Sequence, residues 1–288
     1  MHMMMRTQGE DLNVILPKPH HHPFKAALEL NTCIIMPAAE CGEEAEAYGH
    51  IIPLVTQEEI DRHGAVLTKA RLVSIEYSEA MLPDFSGLIG KTKKLSRAPV
   101  IVRVPAAKGV EAVVARLAHA GAEIIHIVAD YRGRERGDAA ASDGRVLKDV
   151  IRASHLRLIE DGIRDEVTLI ASGGIAMAEH VPKAMLCGAD LTAVDIPLMV
   201  ALGAMIFEGP QESLVFPDGL DKLPTATLTQ RIVNLMGAWH SQLLEVMGAM
   251  GIREARRLRG ESGRAIFFEE IDRETFGRLF RKRKVARL

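Results

Sequence analysis

A chain of 288 residues, 48% of them hydrophobic, is long enough to bury a full core, and its length suits one barrel-sized domain with a tail. Its formal charge of −2 provides no global attraction to nucleic acid or to an anionic membrane, so neither is expected as a partner. No apolar run reaches the roughly 18 residues that a spanning helix needs, and the N-terminus lacks the apolar core of a signal peptide. Cys33, Cys41 and Cys187 are an odd number without a CxxC pair, which points to reduced thiols and a cytoplasmic protein.

In chain order, residues 1–11 read as a flexible N-terminus and Leu12–Leu16 as a first strand, ended by the prolines of PKPHHHPF. His20, His21 and His22 lie between Pro19 and Pro23, where a solvated loop is expected. A metal role is disfavoured because three adjacent side chains cannot easily face one ion. Short helices are predicted over Phe24–Leu30, Glu40–Tyr48 and Gln57–His63, and strands over Thr32–Met36, Ile51–Thr56 and Val73–Tyr77. Pro99–Val104 is a strong fifth strand, followed by an amphipathic helix over Gly109–Ala120. Glu123–Ala129 is the sixth strand, and its long charged loop leads to a helix over Val146–Asp161.

The stretch Val167–Gly203 reads as strand, glycine turn, helix, strand, helix. Val167–Ala171 is a short apolar run of the kind found where a parallel strand is covered on both faces. It stops at Ser172, Gly173 and Gly174, where two glycines permit a tight turn and close approach of a ligand to backbone. Met177–Cys187 has helical spacing, and Leu191–Val194 is the eighth strand. Strand starts recurring every 20 to 40 residues predict a (β/α)8 TIM barrel over residues 12–206. In such barrels the loops after strands seven and eight commonly hold a phosphate. Residues 207–288 are expected to form a linker and a helical C-terminal extension, with a helix over Leu228–Arg259 broken near residue 251 and a basic, solvated tail RKRKVARL.

With SGGI after strand seven and CGADLTAVDIPLMVALG at strand eight, the chain resembles the FMN-binding barrel of the glutamate synthase large subunit, in particular its archaeal-type and stand-alone relatives. That resemblance implies FMN at the barrel mouth and oxidoreductase chemistry on CH–NH2 groups and 2-oxo acids, as in glutamate biosynthesis. It implies a small-molecule substrate, an electron-donor or amidotransferase subunit as partner, and a homo-oligomer. Ser172, Gly173, Gly174 and Ile175 match the family's turn against the flavin phosphate. Arg103 stands where the family has a lysine near the flavin ring, and there it would stabilise negative charge on the reduced flavin. A guanidinium fork is not equivalent to a lysine point charge.

Other positions depart from the pattern. Glu76 and Glu79 replace a cation and an amide after strand four, and YRGRERG replaces the family's glycine-rich loop after strand six. Asp195 and Ile196 stand where the family completes its phosphate site with Gly-Thr, and a carboxylate there would oppose a phosphate. The family's iron–sulfur cysteines are not matched, Ala204 taking the first position, so this chain is not expected to build a cluster. Nor is an amidotransferase nucleophile expected, since the first cysteine lies at position 33. Arg103, Glu76 and Asp130 are the candidate catalytic residues. Ser172, Gly173, Gly174, Ile175, Asp195 and Ile196 are the candidate cofactor contacts. His126, inside a strand, reads as a packed core histidine. Two alternatives stay open: a non-catalytic barrel subunit that has lost flavin, and a phosphate-ester-binding barrel with lyase or isomerase chemistry.

Overall fold

Runs of four to six residues rich in Ile and Val alternate with helical segments along the chain, and this pattern folds into parallel β/α units. The computed structural model describes residues 3–6, 13–14, 21–41, 49–136, 144–207, 213–217 and 219–261. Among them, eight parallel strands close into a barrel: β1 (Met3–Arg6), β3 (Ile34–Pro37), β4 (Ile51–Val55), β5 (Val73–Glu76), β6 (Val100–Pro105), β7 (Ile124–Val128), β8 (Thr168–Ser172) and β9 (Leu191–Val194). The surrounding helices include α3 (Phe85–Ser96), α4 (Val110–His119), α5 (Leu147–Glu160), α6 (His180–Leu186) and α7 (Ile196–Ala201), with the shorter α2 (Gly64–Leu67) after β4.

The first strand corrects the sequence reading. Met3–Arg6, taken for part of a flexible terminus, pairs with Thr192–Val194 on one side and Ile34–Ile35 on the other and so closes the barrel. The expected strand at Leu12–Leu16 is only β2 (Asn13–Val14), which joins β10 (Met205–Phe207) and β11 (Ser213–Val215) in a separate three-stranded sheet. Four residues of mostly unbranched methionine carry little strand signal, whereas the closing edges of β9 and β3 supply the pairing. His21 and His22 open α1 (His21–Glu29) instead of lying in a loop. Pro23 falls in that helix's first turn, where a missing N–H costs nothing. The expected helix over Glu40–Tyr48 and the basic tail lie largely or wholly outside the described residues.

Alternation along each strand sorts the side chains into two cores. Outward residues such as Val73, Ile75, Val102, Ile125 and Leu169 pack against Leu88, Val114, Val150 and Met185 of the helices. Inward Ile35, Ile52, Ile101, Ile170 and Ala193 fill the lower lumen. Each fully buried Ile or Val contributes about 1.5–3 kcal/mol. One step further along the strands the inward positions turn polar: Ser74, Arg103, His126 and Ser172 are buried, and Glu76 is half-buried. The barrel therefore opens at its C-terminal mouth onto a polar layer.

The C-terminal extension is the long helix α8 (Thr225–Ala249), which buries Leu228, Ile232, Met236, Trp239, Leu243 and Met247 along one stripe. It ends where Gly251 takes a positive φ of 67°, near the expected break. Beyond it, Arg259 reaches the lower rim of the barrel, bonding Asp190 at 3.0 Å and Asp165 at 2.5 Å. Arg164, only 5% exposed, ties this junction together. Its guanidinium donates to His155 Nδ1 at 2.8 Å, to the carbonyls of Val167 and Gly188 at 2.6 and 2.7 Å, and to Asp190 at 2.7 Å.

His155 is thereby held as an acceptor, and its pKa is pushed down to about 4, first by burial and then by the charges of Arg164 and Arg259. The folded state binds fewer protons at this imidazole than the unfolded chain, whose value is near 6.5, so stability rises with pH. The His155 contribution is expected to be complete above about pH 6.5 and to be lost as pH falls toward 4. Urea midpoints from pH 7 to pH 4.5 test this: His155→Gln should show a shallower decline than the natural sequence, and equal slopes would contradict it.

Candidate active site at the barrel mouth

Strand register brings the candidate residues together. Glu76 ends β5, Arg103 sits beside it on β6, and Arg103 in turn neighbours His126 on β7. Arg103, 2% exposed, donates from Nη1 to both carboxylate oxygens of Glu76 at 3.1 Å. The predicted pair of catalytic groups is thus a bound ion pair at the mouth, with Glu76 on the more solvent-accessible side at 35%. Glu79, by contrast, meets Arg116 at 3.6 Å on the surface. Tyr77, between the two acids, has its hydroxyl pushed up to about 12, mainly by burial and then by Glu79, so it remains a proton donor at neutral pH.

His126 was read from sequence as core packing, and it is fully buried, but it faces the lumen. Its Nε2 lies 2.7 Å from Ser172 Oγ, so the serine expected at a flavin phosphate is hydrogen-bonded inside the barrel. The signal that could have placed His126 at the site is parity: Ile124, His126 and Val128 share one face of β7, and Arg103 is the register partner of the middle one. Ser74, whose buried hydroxyl finds no hydrogen-bond partner among the described residues, was missed for the same reason.

Asp130, expected as a catalytic residue, is tied into its own loop. Its Oδ1 accepts from the Arg134 N–H at 2.6 Å, and the Arg134 carbonyl accepts from the Asp130 N–H at 2.9 Å. The carboxylate shapes the loop after β7, as short Asp side chains do in turns. That loop also changes the reading of the glycine turn. Gly173 and Gly174 have φ of 92° and 67°, and a Cβ on either would strike the chain itself: Ala129 O and Asp130 O at the first, Gly133 at the second. Residues 129–133 fill the Cβ side of these glycines, and both glycines also line a cavity of about 450 Å³. Gly174→Ala is expected to lower stability by about 1–3 kcal/mol from backbone strain, with the Gly133 clash added; a thermal melt unchanged from the natural sequence would contradict this.

At the next turn, Asp195 is 3% exposed and is the N-cap of α7, its Oδ1 accepting from the Ile196 N–H at 2.7 Å. Ile196 itself packs with Met199 and Ala204, and Ile175 is buried in the main core. These two expected cofactor contacts therefore hold their side chains in apolar clusters and have only backbone to offer.

A closed parallel barrel whose inward residues turn polar at the C-terminal ends of the strands is a (β/α)8 barrel with its candidate site at that mouth. More narrowly, the chain belongs to the glutamate synthase family: the model of the conserved region in glutamate synthase matches residues 76–253, a span that begins at Glu76 and contains every other candidate residue. The archaeal glutamate synthase (NADPH) of Methanocaldococcus jannaschii is 30% identical over 198 residues, covering 64% of this chain and 38% of that protein. The archaeal glutamate synthase (NADPH) of Archaeoglobus fulgidus is 28% identical over 215 residues, covering 68% of this chain and 41% of its own length. The chain thus spans about two fifths of these relatives. Among solved structures, a lactate oxidase of Pediococcus acidilactici aligns with a TM-score of 0.58 at 14% identity, over 89% of this chain and 73% of that one. Mandelate oxidase with (S)-2-phenylpropionate gives 0.58 at 13% identity, over 90% and 77%. These two establish the fold alone.

Proposed function

We propose that this chain is the barrel component of a glutamate synthase-type flavin oxidoreductase acting on 2-oxo acids and amino acids, with Arg103 and Glu76 at the centre of its site. The observation that carries this reading is the polar layer of Ser74, Glu76, Arg103, His126 and Ser172 on the inner wall of the mouth, all but Ser74 within the family-matched span. FMN would supply the redox chemistry. The α7 side of the expected turn does not fit its phosphate, because the buried Asp195 carboxylate already uses the Ile196 N–H. The chain's own contribution can be stated without the cofactor. Glu76 neutralises Arg103 in a mouth open to water, and an incoming carboxylate of a 2-oxo acid would compete with Glu76 for the guanidinium fork.

A cluster held by this chain is not part of the proposal. Burial pushes the Cys33 and Cys41 thiols up, the latter to about 12, so both are protonated at neutral pH. The three free cysteines support a reducing, cytoplasmic setting. No helix of the described residues is long and apolar enough to cross a membrane. The chain spans about two fifths of its relatives, and an electron donor or amidotransferase subunit is the partner class that this reading calls for. A non-catalytic barrel is the second reading, and the buried Asp195 cap favours it.

The test is to reconstitute the protein with excess FMN, photoreduce it without oxygen, and add 2-oxoglutarate with ammonium. Flavin reoxidation that requires both additions, and that Arg103→Gln abolishes, is expected. Failure of both proteins to reoxidise flavin, while flavin binds, would favour the non-catalytic reading.

A further inference from the structure

We propose that the cleft between the last turns of α8 and the short helical turn Ala255–Leu258 is a docking groove, and that its occupant is an acidic, aromatic stretch of this same chain, residues 265–272, AIFFEEID. A tight reversal builds the groove. Gly251 ends α8, the Ile252 N–H returns to the Met247 carbonyl at 2.8 Å and the Gly251 N–H to the Gly248 carbonyl at 3.1 Å, so the chain folds back along the helix it has just left. His240, Leu244 and Met247 share one face of α8, and Arg253, Glu254 and Arg256 form the other wall of a cleft of about 390 Å³. None of these residues belongs to the barrel mouth, and no flavin is required.

The groove has an uncovered apolar spot and an excess of positive charge. Met247 is buried at its floor, but Leu244 is 51% exposed, and an apolar side chain laid over it would remove both from water. Arg253 has no ion-pair partner among the described residues. Glu254, the single acid of the described lining, already serves the exposed Arg256 at 2.7 Å and Arg257 at 3.7 Å. The fitting occupant therefore combines a bulky apolar anchor with carboxylates. The sequence carries one close by: Phe267 and Phe268 are the chain's one pair of adjacent aromatic residues, and Glu269, Glu270 and Asp272 follow them. Ala255 in the groove wall lies six residues before Glu261, and Phe267 lies six residues after it. Six residues span at most roughly 20 Å, so the chain that leaves Glu261 can reach back to the groove it came from. The tether makes the encounter intramolecular, so modest contacts suffice.

Maleimide labelling of Leu244→Cys in the full chain, followed at that residue by peptide mass mapping, tests this. Replacing Phe267 and Phe268 together with serine is expected to raise the labelling rate at least fivefold, with folding verified by circular dichroism. Arg253→Glu, at an exposed position where the fold is not at stake, should raise it at least twofold. Excess free peptide AIFFEEID added to the serine variant should slow labelling again. Equal rates with and without the two phenylalanines, or a rate indifferent to Arg253→Glu, would overturn the proposal. A rate that rises when the protein with both phenylalanines is diluted would place the segment of a second copy in the groove and overturn the occupant named here.

Discussion

Replacing Asp195 with glycine is expected to tighten FMN binding by about tenfold or more at low salt. The buried carboxyl and a flavin phosphate would seek the same donor, the Ile196 N–H at the start of α7. Two unit charges about 4 Å apart repel by roughly 4 kcal/mol at an effective dielectric near 20, and a phosphate dianion doubles that figure. A quarter of the doubled value is worth more than a factor of ten in affinity, at about 1.4 kcal/mol per decade. The substitution itself costs little, since glycine replaces an aspartate N-cap at a few tenths of a kcal/mol. Fluorescence-quenching titrations of both proteins provide the check, and equal or weaker binding by the variant would place the phosphate elsewhere.

Arg164→Ala should be the most destabilising single change at the lower rim, by about 3–5 kcal/mol, because removing one partner of a buried pair strands the other. Asp190 would keep only the half-exposed Arg259 and the Leu169 N–H, His155 would lose its donor, and the carbonyls of Val167 and Gly188 would lose theirs. The loss should lower the melting temperature by roughly 10 °C and loosen the C-terminal extension that Arg259 anchors. Lys91→Ala, breaking an exposed pair with Asp61, should change stability by no more than about 1 kcal/mol. A melt of Arg164→Ala matching that of the Lys91 variant would show that the network contributes no net stability.

The barrel was legible in the sequence wherever strands are branched and helices amphipathic. Strands predicted at Pro99–Val104, Glu123–Ala129, Val167–Ala171 and Leu191–Val194 fall within one residue of the observed ends. The break after α8 was legible because Gly251 punctuates it. What failed is what long-range pairing decides. Met3–Arg6 has no local strand signature, and only the open edges of β9 and β3 give it a partner. Arg103 and Glu76 were legible as separate candidates, and the strand register makes them a pair. His126 was half-read: burial follows from its apolar neighbours, but which way it points depends on strand parity, and that parity puts it beside Ser172. The turn bonds of Asp130 to Arg134 were not legible, since whether a loop's aspartate satisfies its own turn depends on the loop's backbone path. At the glycine turn the sequence shows that a Cβ is missing and not what packs in its place.

The central claim is that this is a flavin-class barrel whose own Asp195 opposes the flavin phosphate. FMN and riboflavin titrated side by side against the natural sequence test it most directly, because the two differ only in that phosphate. The account predicts saturable binding of both flavins, with riboflavin bound at least as tightly as FMN. Preference for FMN by tenfold or more, or no saturable binding of either flavin, would contradict it.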